Sequence, residues 1–167
     1  MSLTEHKKLS PRSMRVFFVT ISDSRTEATD SGGKLAIDLI VSSGHTVAGY
    51  KIIKDEPLEV AALIRSIAED KQADAIITSG GTGVSSRDST YEAIVSLLEK
   101  QLDGFGELFR MLSFAEIGSA AMLSRAVGGI FRGLPIFATP GSPAAVRLAL
   151  EKLILPELGH LGFEVKR

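Results

Sequence analysis

Residues 77–90 read ITSGGTGVSSRDST, in which an apolar run gives way to three glycines within four residues, then to hydroxyls and a carboxylate. Ser79, Gly80, Gly81, Thr82 and Gly83 are residue types from which a phosphate cradle can be built. Glycines let the backbone approach an anion closely and turn successive N–H groups towards it. The loop is not a Walker A, because no Lys follows the last glycine. It is not a dinucleotide fingerprint either, because Ser86 stands where a third Gly or Ala belongs. A flexible polar turn is the plainer alternative. Two carboxylates, Asp55 in KDEP and Asp88 in SRDST, lie just past segments that read as strands. Mg2+ is commonly held by one or two carboxylates together with substrate phosphates and water, so such a pair beside a phosphate loop suits nucleotidyl transfer. Acidic residues placed simply to cap helices would look the same.

Other candidates are weaker taken singly. Pro140-Gly141-Ser142-Pro143 combines a Ser N-cap with Pro at the first helical position, which is ordinary helix grammar that also presents free N–H groups. Arg87, Arg110 and Arg125 are candidate phosphate contacts. His6, His45 and His160 fall away from these loops and read as exposed, which argues against a His-ligated metal and a Ser-His-Asp triad. The chemistry is therefore expected to rest on carboxylates, hydroxyls, backbone amides and arginines.

The elements that would position these residues alternate. Strands are expected at 15–21, 45–53, 74–78 and 134–138, each a short apolar or alternating run. Helices are expected at 33–43, ended by Gly44, and from Pro57 onward through Val60, Leu63, Ile64, Ile67 and Ala68. A Ser89–Glu92 capping box would open a helix to Leu98. Residues 105–116 are apolar on nearly every side, 118–127 read as a small-residue helix, and Ser142 caps a helix towards Leu155. This order predicts an α/β fold with a mostly parallel central sheet and helices on both faces. In such a sheet ligands bind beyond the carboxyl ends of the strands, and the polar loops 22–32, 54–57, 79–89 and 139–142 would converge there.

The whole chain sets outer bounds. Its 167 residues suit one domain, here 14–167, behind a flexible arm at 1–13 that lacks the apolar stretch of a signal peptide. Nineteen basic and twenty acidic side chains leave a charge of −1, so there is no basic field for a nucleic-acid partner. No apolar run approaches the roughly 18–20 residues that span a membrane. With no cysteine there are no disulfides or thiolate metal sites, in keeping with a cytoplasmic protein. A hydrophobic content of 44% and a mean hydropathy of +0.19 point to a large core, a subunit interface or both. The apolar 105–114 segment makes an oligomer the expected state.

TSGGTG, RDSTYEA, GFGELFRMLSF, IGSAAMLSRAVGG and TPGSPAAV, in that order across residues 16–160, resemble the MoaB/Mog family of molybdenum cofactor biosynthesis. Gephyrin and its plant counterparts carry a similar domain, and FGELFRMLSFAEIG is similar to the MoaB branch. The resemblance implies a three-layer α/β/α molybdopterin-binding domain that assembles as a trimer or hexamer. It also implies a molybdopterin adenylyltransferase, which joins molybdopterin to AMP from ATP with Mg2+, releases pyrophosphate and leaves its product for a downstream molybdate-insertion protein. By the same resemblance Asp55 and Asp88 are the essential, Mg2+-holding aspartates, and Ser22 and Asp23 are polar positions on the nucleotide side. Ser79, Gly80, Gly81, Thr82 and Gly83 form the ligand loop, while Ser113, Ser124, Arg125, Pro140, Gly141, Ser142 and Pro143 complete the molybdopterin and phosphate contacts. Tyr91 and Thr139 stand where many members have Pro and Leu or Met, and both would reshape the pocket. Two other readings are a protein that binds molybdopterin or its precursor without turnover, and a gephyrin-type scaffold. A single domain without linker or partner domain argues against the scaffold.

Overall fold

The structure is a computed structural model and describes residues 10, 11 and 13–167. Strand β1 (Arg15–Ile21) is buried from Val16 onward and lies between β2 (Thr46–Ile53) and β3 (Ala75–Ser79), parallel to both. β3 pairs in parallel with β6 (Leu134–Thr139), and β5 (Val127–Phe131) and β4 (Lys100–Gln101) extend the sheet antiparallel, in the order β2-β1-β3-β6-β5-β4. Parallel neighbours need long crossovers. Here α1 (Ser31–Ser42) joins β1 to β2, and α2 (Pro57–Glu69) joins β2 to β3.

Side chains alternate across a strand, so β1 feeds two cores. Val16 and Phe18, with Ala75, Ile77 and Phe137, pack under α1, α4 (Asp103–Ile117), α5 (Pro143–Ala149) and α6 (Leu155–Glu164). Phe17, Val19 and Ile21, with Ile76, Ile136 and Ala138, pack under α2 and α3 (Thr90–Val95). The result is the three-layer α/β/α sandwich with a mostly parallel sheet that the sequence predicts. Phe18 and Phe109 are among its largest fully buried side chains, and truncating either to Ala should cost about 3–5 kcal/mol. A π-helical turn, Leu150–Ile154, links α5 to α6.

Several expectations are corrected. Residues 118–127 are not one α-helix: α4 stops at Gly118 (φ 65°), a 3-10 helix covers Gly118–Leu123, and Val127 already begins β5. The β5–β6 hairpin turns through Arg132 and Gly133, both at positive φ, as a tight hairpin matched to strand twist requires. That hairpin and the two-residue β4 are absent from the sequence expectation. The helix opened at residue 90 ends at Val95 rather than Leu98, and its capping box does not form, because Ser89 makes no side-chain cap bond. His45 is buried rather than exposed, and its Nδ1 accepts the Met14 N–H at 3.1 Å. His160 is partly exposed and lies 3.0 Å from Glu157. His6 and most of the 1–13 arm lie outside the described residues. Where the arm is described, the Pro11 carbonyl packs against Gly159 of α6.

Candidate active site

β1, β2, β3 and β6 run in parallel and end level with one another: Ile21 is in register with Ile53, Thr20 with Ser79, and Ser79 with Thr139. The four polar loops therefore meet on one rim, and hydrogen bonds tie them together. Ser22 N–H donates to Ile53 O at 2.9 Å, Asp55 N–H to Asp23 Oδ1 at 3.2 Å, and Gly80 N–H to Thr139 O at 2.9 Å.

The glycine loop is shaped by close approach. Gly80 (φ 101°) and Gly81 (φ 68°) occupy conformations that side-chain-bearing residues rarely adopt. A Cβ on Gly80 would sit 2.1 Å from Ile21 O, and one on Gly81 would meet Thr90 Oγ1 at 2.1 Å and Asp55 Oδ2 at 2.6 Å. Thr90 N–H donates to Gly81 O at 3.0 Å. Among the described residues, no acceptor is bonded to the amides of Thr82, Gly83 or Val84. Consecutive unpaired amides in a glycine turn are a nest for an anion.

The two aspartates differ in surroundings. Asp55 is 5% exposed and accepts the Ser89 hydroxyl at 2.9 Å, the Thr90 hydroxyl at 3.0 Å and the Ser89 N–H at 3.3 Å. Its Oδ2 takes only that long N–H contact. Asp88 is partly exposed, and its Oδ2 accepts the Ser85 hydroxyl at 2.6 Å and the Ser85 N–H at 3.1 Å. No donor reaches its Oδ1 among the described residues. Neither carboxylate is the helix cap that its sequence position allowed. Each keeps oxygen lone pairs beside the loop, the donor type that Mg2+ takes in small number while phosphate and water complete its shell. Among the described residues no group of three or more acidic, His or Cys side chains could hold a metal by itself.

Behind Asp55 lies a charged cluster. Arg87 donates to both oxygens of Asp23 at 2.7 and 2.9 Å and to Glu56 at 2.9 Å. The Arg87 hydrogen bonds hold the Asp23 carboxyl below its usual range, and the two acids hold the Arg87 guanidinium above its own. Ser22 turns its hydroxyl to the N–H groups of Ser24 and Arg25. One layer further in, fully buried Asp30 caps α1 through Gly33 N–H and accepts the Thr20 and Tyr50 hydroxyls, both at 2.5 Å. Burial opposes ionisation of Asp30, yet these donors and Arg25 together hold its carboxyl below the ordinary value.

A cavity of about 420 Å³ opens beside the loop, lined by Gly80, Gly81, Thr82, Gly83, Asp88, Ser113, Ser124, Pro140, Gly141 and Ser142. Ten of the residues singled out in the sequence thus share one wall. Phe109, Ile117, Ala120, Leu123 and Ala145 supply the apolar remainder; sequence reasoning missed them as site residues because they read as core or interface positions. The Ser124 hydroxyl has no partner among the described residues, nor does the buried Ser79 hydroxyl. Other expected residues lie outside the wall. Ser79 is inside the sheet, Asp55 packs against Gly81 without lining the cavity, Ser22 and Asp23 do not line it either, and Pro143 begins α5. Arg125 donates to the Thr82 and Gly83 carbonyls, while Arg110 turns to the Ser124 and Ala126 carbonyls. A larger groove of about 680 Å³, lined mainly by apolar residues such as Leu102, Phe105, Leu153 and Leu161, lies elsewhere and gathers no residue of the four loops.

The probable molybdopterin binding domain family matches residues 17–160. The chain is 51% identical to molybdenum cofactor biosynthesis protein B of Bacillus anthracis, across 100% of this chain and 99% of that protein. A crystal structure of a molybdenum cofactor biosynthesis protein B superposes with a TM-score of 0.91 at 49% identity, covering 95% of this chain and 99% of the other. The tungsten cofactor synthesizing protein MoaB of Pyrococcus furiosus gives 0.82 at 36% identity, over 95% and 100% of the two chains.

Proposed function

The chain belongs to the MoaB/Mog family of molybdenum cofactor biosynthesis proteins, on its MoaB branch, and from that membership we propose that it is a molybdopterin adenylyltransferase. The terminal phosphate oxygen of molybdopterin attacks the α-phosphorus of ATP, a new P–O bond forms, the bond to the leaving pyrophosphate breaks, and adenylyl-molybdopterin results. A phosphate nucleophile is already ionised near neutral pH, so no general base is required.

The observation that carries this reading is the cavity-lining loop 80–83, followed by Val84, with unpaired amides at Thr82, Gly83 and Val84 and with Asp55 against Gly81 and Asp88 against Gly83. Thr82, Gly83 and Val84 N–H groups would seat the molybdopterin phosphate and stabilise charge that builds during transfer. Gly141, Ser142, Ser113 and Ser124 would bind the remainder of that ligand. Asp55 and Asp88 would hold Mg2+, which when bound offsets charge on the ATP phosphates. Ser22 and Asp23 fall to the nucleotide side, where Asp23 also orients Arg87. Holding both substrates in line supplies most of the catalysis in phosphoryl-type transfer.

The protein is further proposed to be a single molybdopterin-binding domain, 14–167, acting in the cytoplasm and passing its product to a molybdate-insertion protein. No helix among the described residues is long and apolar enough to cross a membrane. A trimer or hexamer is supported by the exposed Met111, Phe114, Ile117, Met122 and Leu123. Incubation with molybdopterin, ATP and Mg2+ should release pyrophosphate in proportion to adenylyl-molybdopterin formed. Molybdopterin binding without pyrophosphate would replace this reading with that of a binding protein that performs no transfer.

A further inference from the structure

Among the described residues, Arg125 is the one arginine beside the loop whose guanidinium faces the loop's own carbonyls. Its Nε donates to Thr82 O at 3.1 Å and its Nη2 to Gly83 O, while Glu92 accepts from both Nη atoms. Tyr91 lies beneath it, with the guanidinium carbon 4.8 Å from the ring centroid. An arginine has five N–H donors, and these contacts engage four of them, with the ring covering one face.

Peptide planarity gives these contacts a consequence. In a trans peptide the carbonyl of one residue and the N–H of the next point in opposite directions. Fixing Thr82 O and Gly83 O against Arg125 therefore turns the Gly83 and Val84 N–H groups away from it. The Thr90 N–H, by holding Gly81 O, does the same for Thr82 N–H. All three lack an acceptor among the described residues, as Gly81 N–H also does, and Arg125 is not part of the cavity wall that the loop lines.

We infer that Arg125 is a positioning residue, locked by Glu92 and Tyr91 into a clasp that aims the loop amides at an anion, and that it does not itself contact the phosphate. This rests on the reading of residues 80–83 as a phosphate seat. It assigns Glu92 and Tyr91 a part in binding although neither lines the cavity. The Glu92–Arg125 pair is largely solvent-exposed on the Glu92 side, where an ion pair adds little to stability. Its effect on the loop is thus separable from its effect on folding.

The sign of one substitution separates a clasp from a contact. Glu92→Gln keeps the shape and removes the charge. If Arg125 contacted the anion, loss of the competing carboxylate would free the guanidinium and tighten phosphate binding. With a clasp, the anchor is lost and binding weakens. Inorganic phosphate is titrated into the protein and followed through the 15N-amide shifts of Thr82, Gly83 and Val84, and 15N order parameters of the same amides are measured without phosphate. Glu92→Gln should weaken phosphate binding by about threefold, the scale set by an exposed ion pair, and lower the loop's order parameters. Tyr91→Leu, which removes the ring but no charge, should shift both in the same direction. Tighter phosphate binding in Glu92→Gln, or order parameters unchanged in both variants, overturns the clasp. Failure of phosphate to move these amides in the unsubstituted protein overturns the phosphate reading of the loop, and the order parameters then decide the clasp alone.

Discussion

Substituting the two aspartates separately should split stability from chemistry. Asp55→Ala removes the acceptor of the Thr90 hydroxyl, the Ser89 hydroxyl and the Ser89 N–H. Thr90 is fully buried, and a buried donor left without its partner costs about 1–3 kcal/mol. Ser89 is partly exposed, so water can replace part of what it loses. The sum is about 3 kcal/mol. For 167 residues the entropy of unfolding is about 0.35 kcal/mol/K, so the melting temperature should fall by about 9 °C. Asp88→Ala removes an acceptor from Ser85 alone, in an exposed turn, which costs about 0.5–1 kcal/mol and about 1–3 °C. Both variants should lose AMP transfer, and Asp88→Ala should still bind molybdopterin. Circular dichroism melts paired with a pyrophosphate-release assay measure the two quantities on one preparation. Equal melting temperatures for the two variants would refute the assignment of Asp55 as a buried hub. Unchanged turnover in Asp88→Ala would refute its catalytic role.

Gly81→Ala should abolish phosphate binding and lower stability by about 2 kcal/mol or more, because φ 68° disfavours a side chain and the new Cβ would displace Thr90 and Asp55; phosphate titration and thermal melts check it. Burial, reinforced by the hydrogen bond to Asp30, pushes the Tyr50 hydroxyl up to about 12. Its raised folded-state value leaves stability intact below about pH 10 and drains it as pH climbs to about 12. Urea midpoints of Tyr50→Phe should therefore fall less steeply over that window than those of the parent protein, and equal slopes would discount the network. Phe114, 62% exposed amid Met111 and Ile117, should hold copies together. Phe114→Glu should shift sedimentation towards monomer while circular dichroism stays unchanged.

The parallel part of the sheet was legible because its strands are short apolar runs, as in RVFFVTI, or alternate, as in TVAGYKII. Four such strands with helical crossovers leave little topological freedom. The β5–β6 hairpin was hidden because VGGIF carries two glycines after a run of small residues, and its turn uses Arg-Gly where Asn-Gly would have announced it. Ser89 and Glu92 match the capping-box spacing, yet each side chain has a tertiary partner, Asp55 for one and Arg125 for the other. Local grammar cannot anticipate a competitor 34 residues away. The loops were legible as a set, but the residues that line the cavity and those that lie outside it, such as Asp55 and Asp23, could be separated only by their placement around residues 80–83.

That separation explains why flexible residues can form a stiff site. A run of glycines loses more conformational entropy on ordering than any other sequence, and an unanchored loop would have to be ordered by the ligand at the ligand's expense in affinity. Here every anchor but Asp88 lies outside the cavity. Thr139 O holds Gly80 N–H, Thr90 N–H holds Gly81 O, Arg125 holds the next two carbonyls, and Asp88 closes the turn onto Ser85. Every anchor except the first and the last takes a carbonyl and leaves the following amide unpaired. Folding therefore bears the ordering cost, and the amides would meet the phosphate proposed for them already oriented, the condition under which fixed dipoles stabilise charge most strongly.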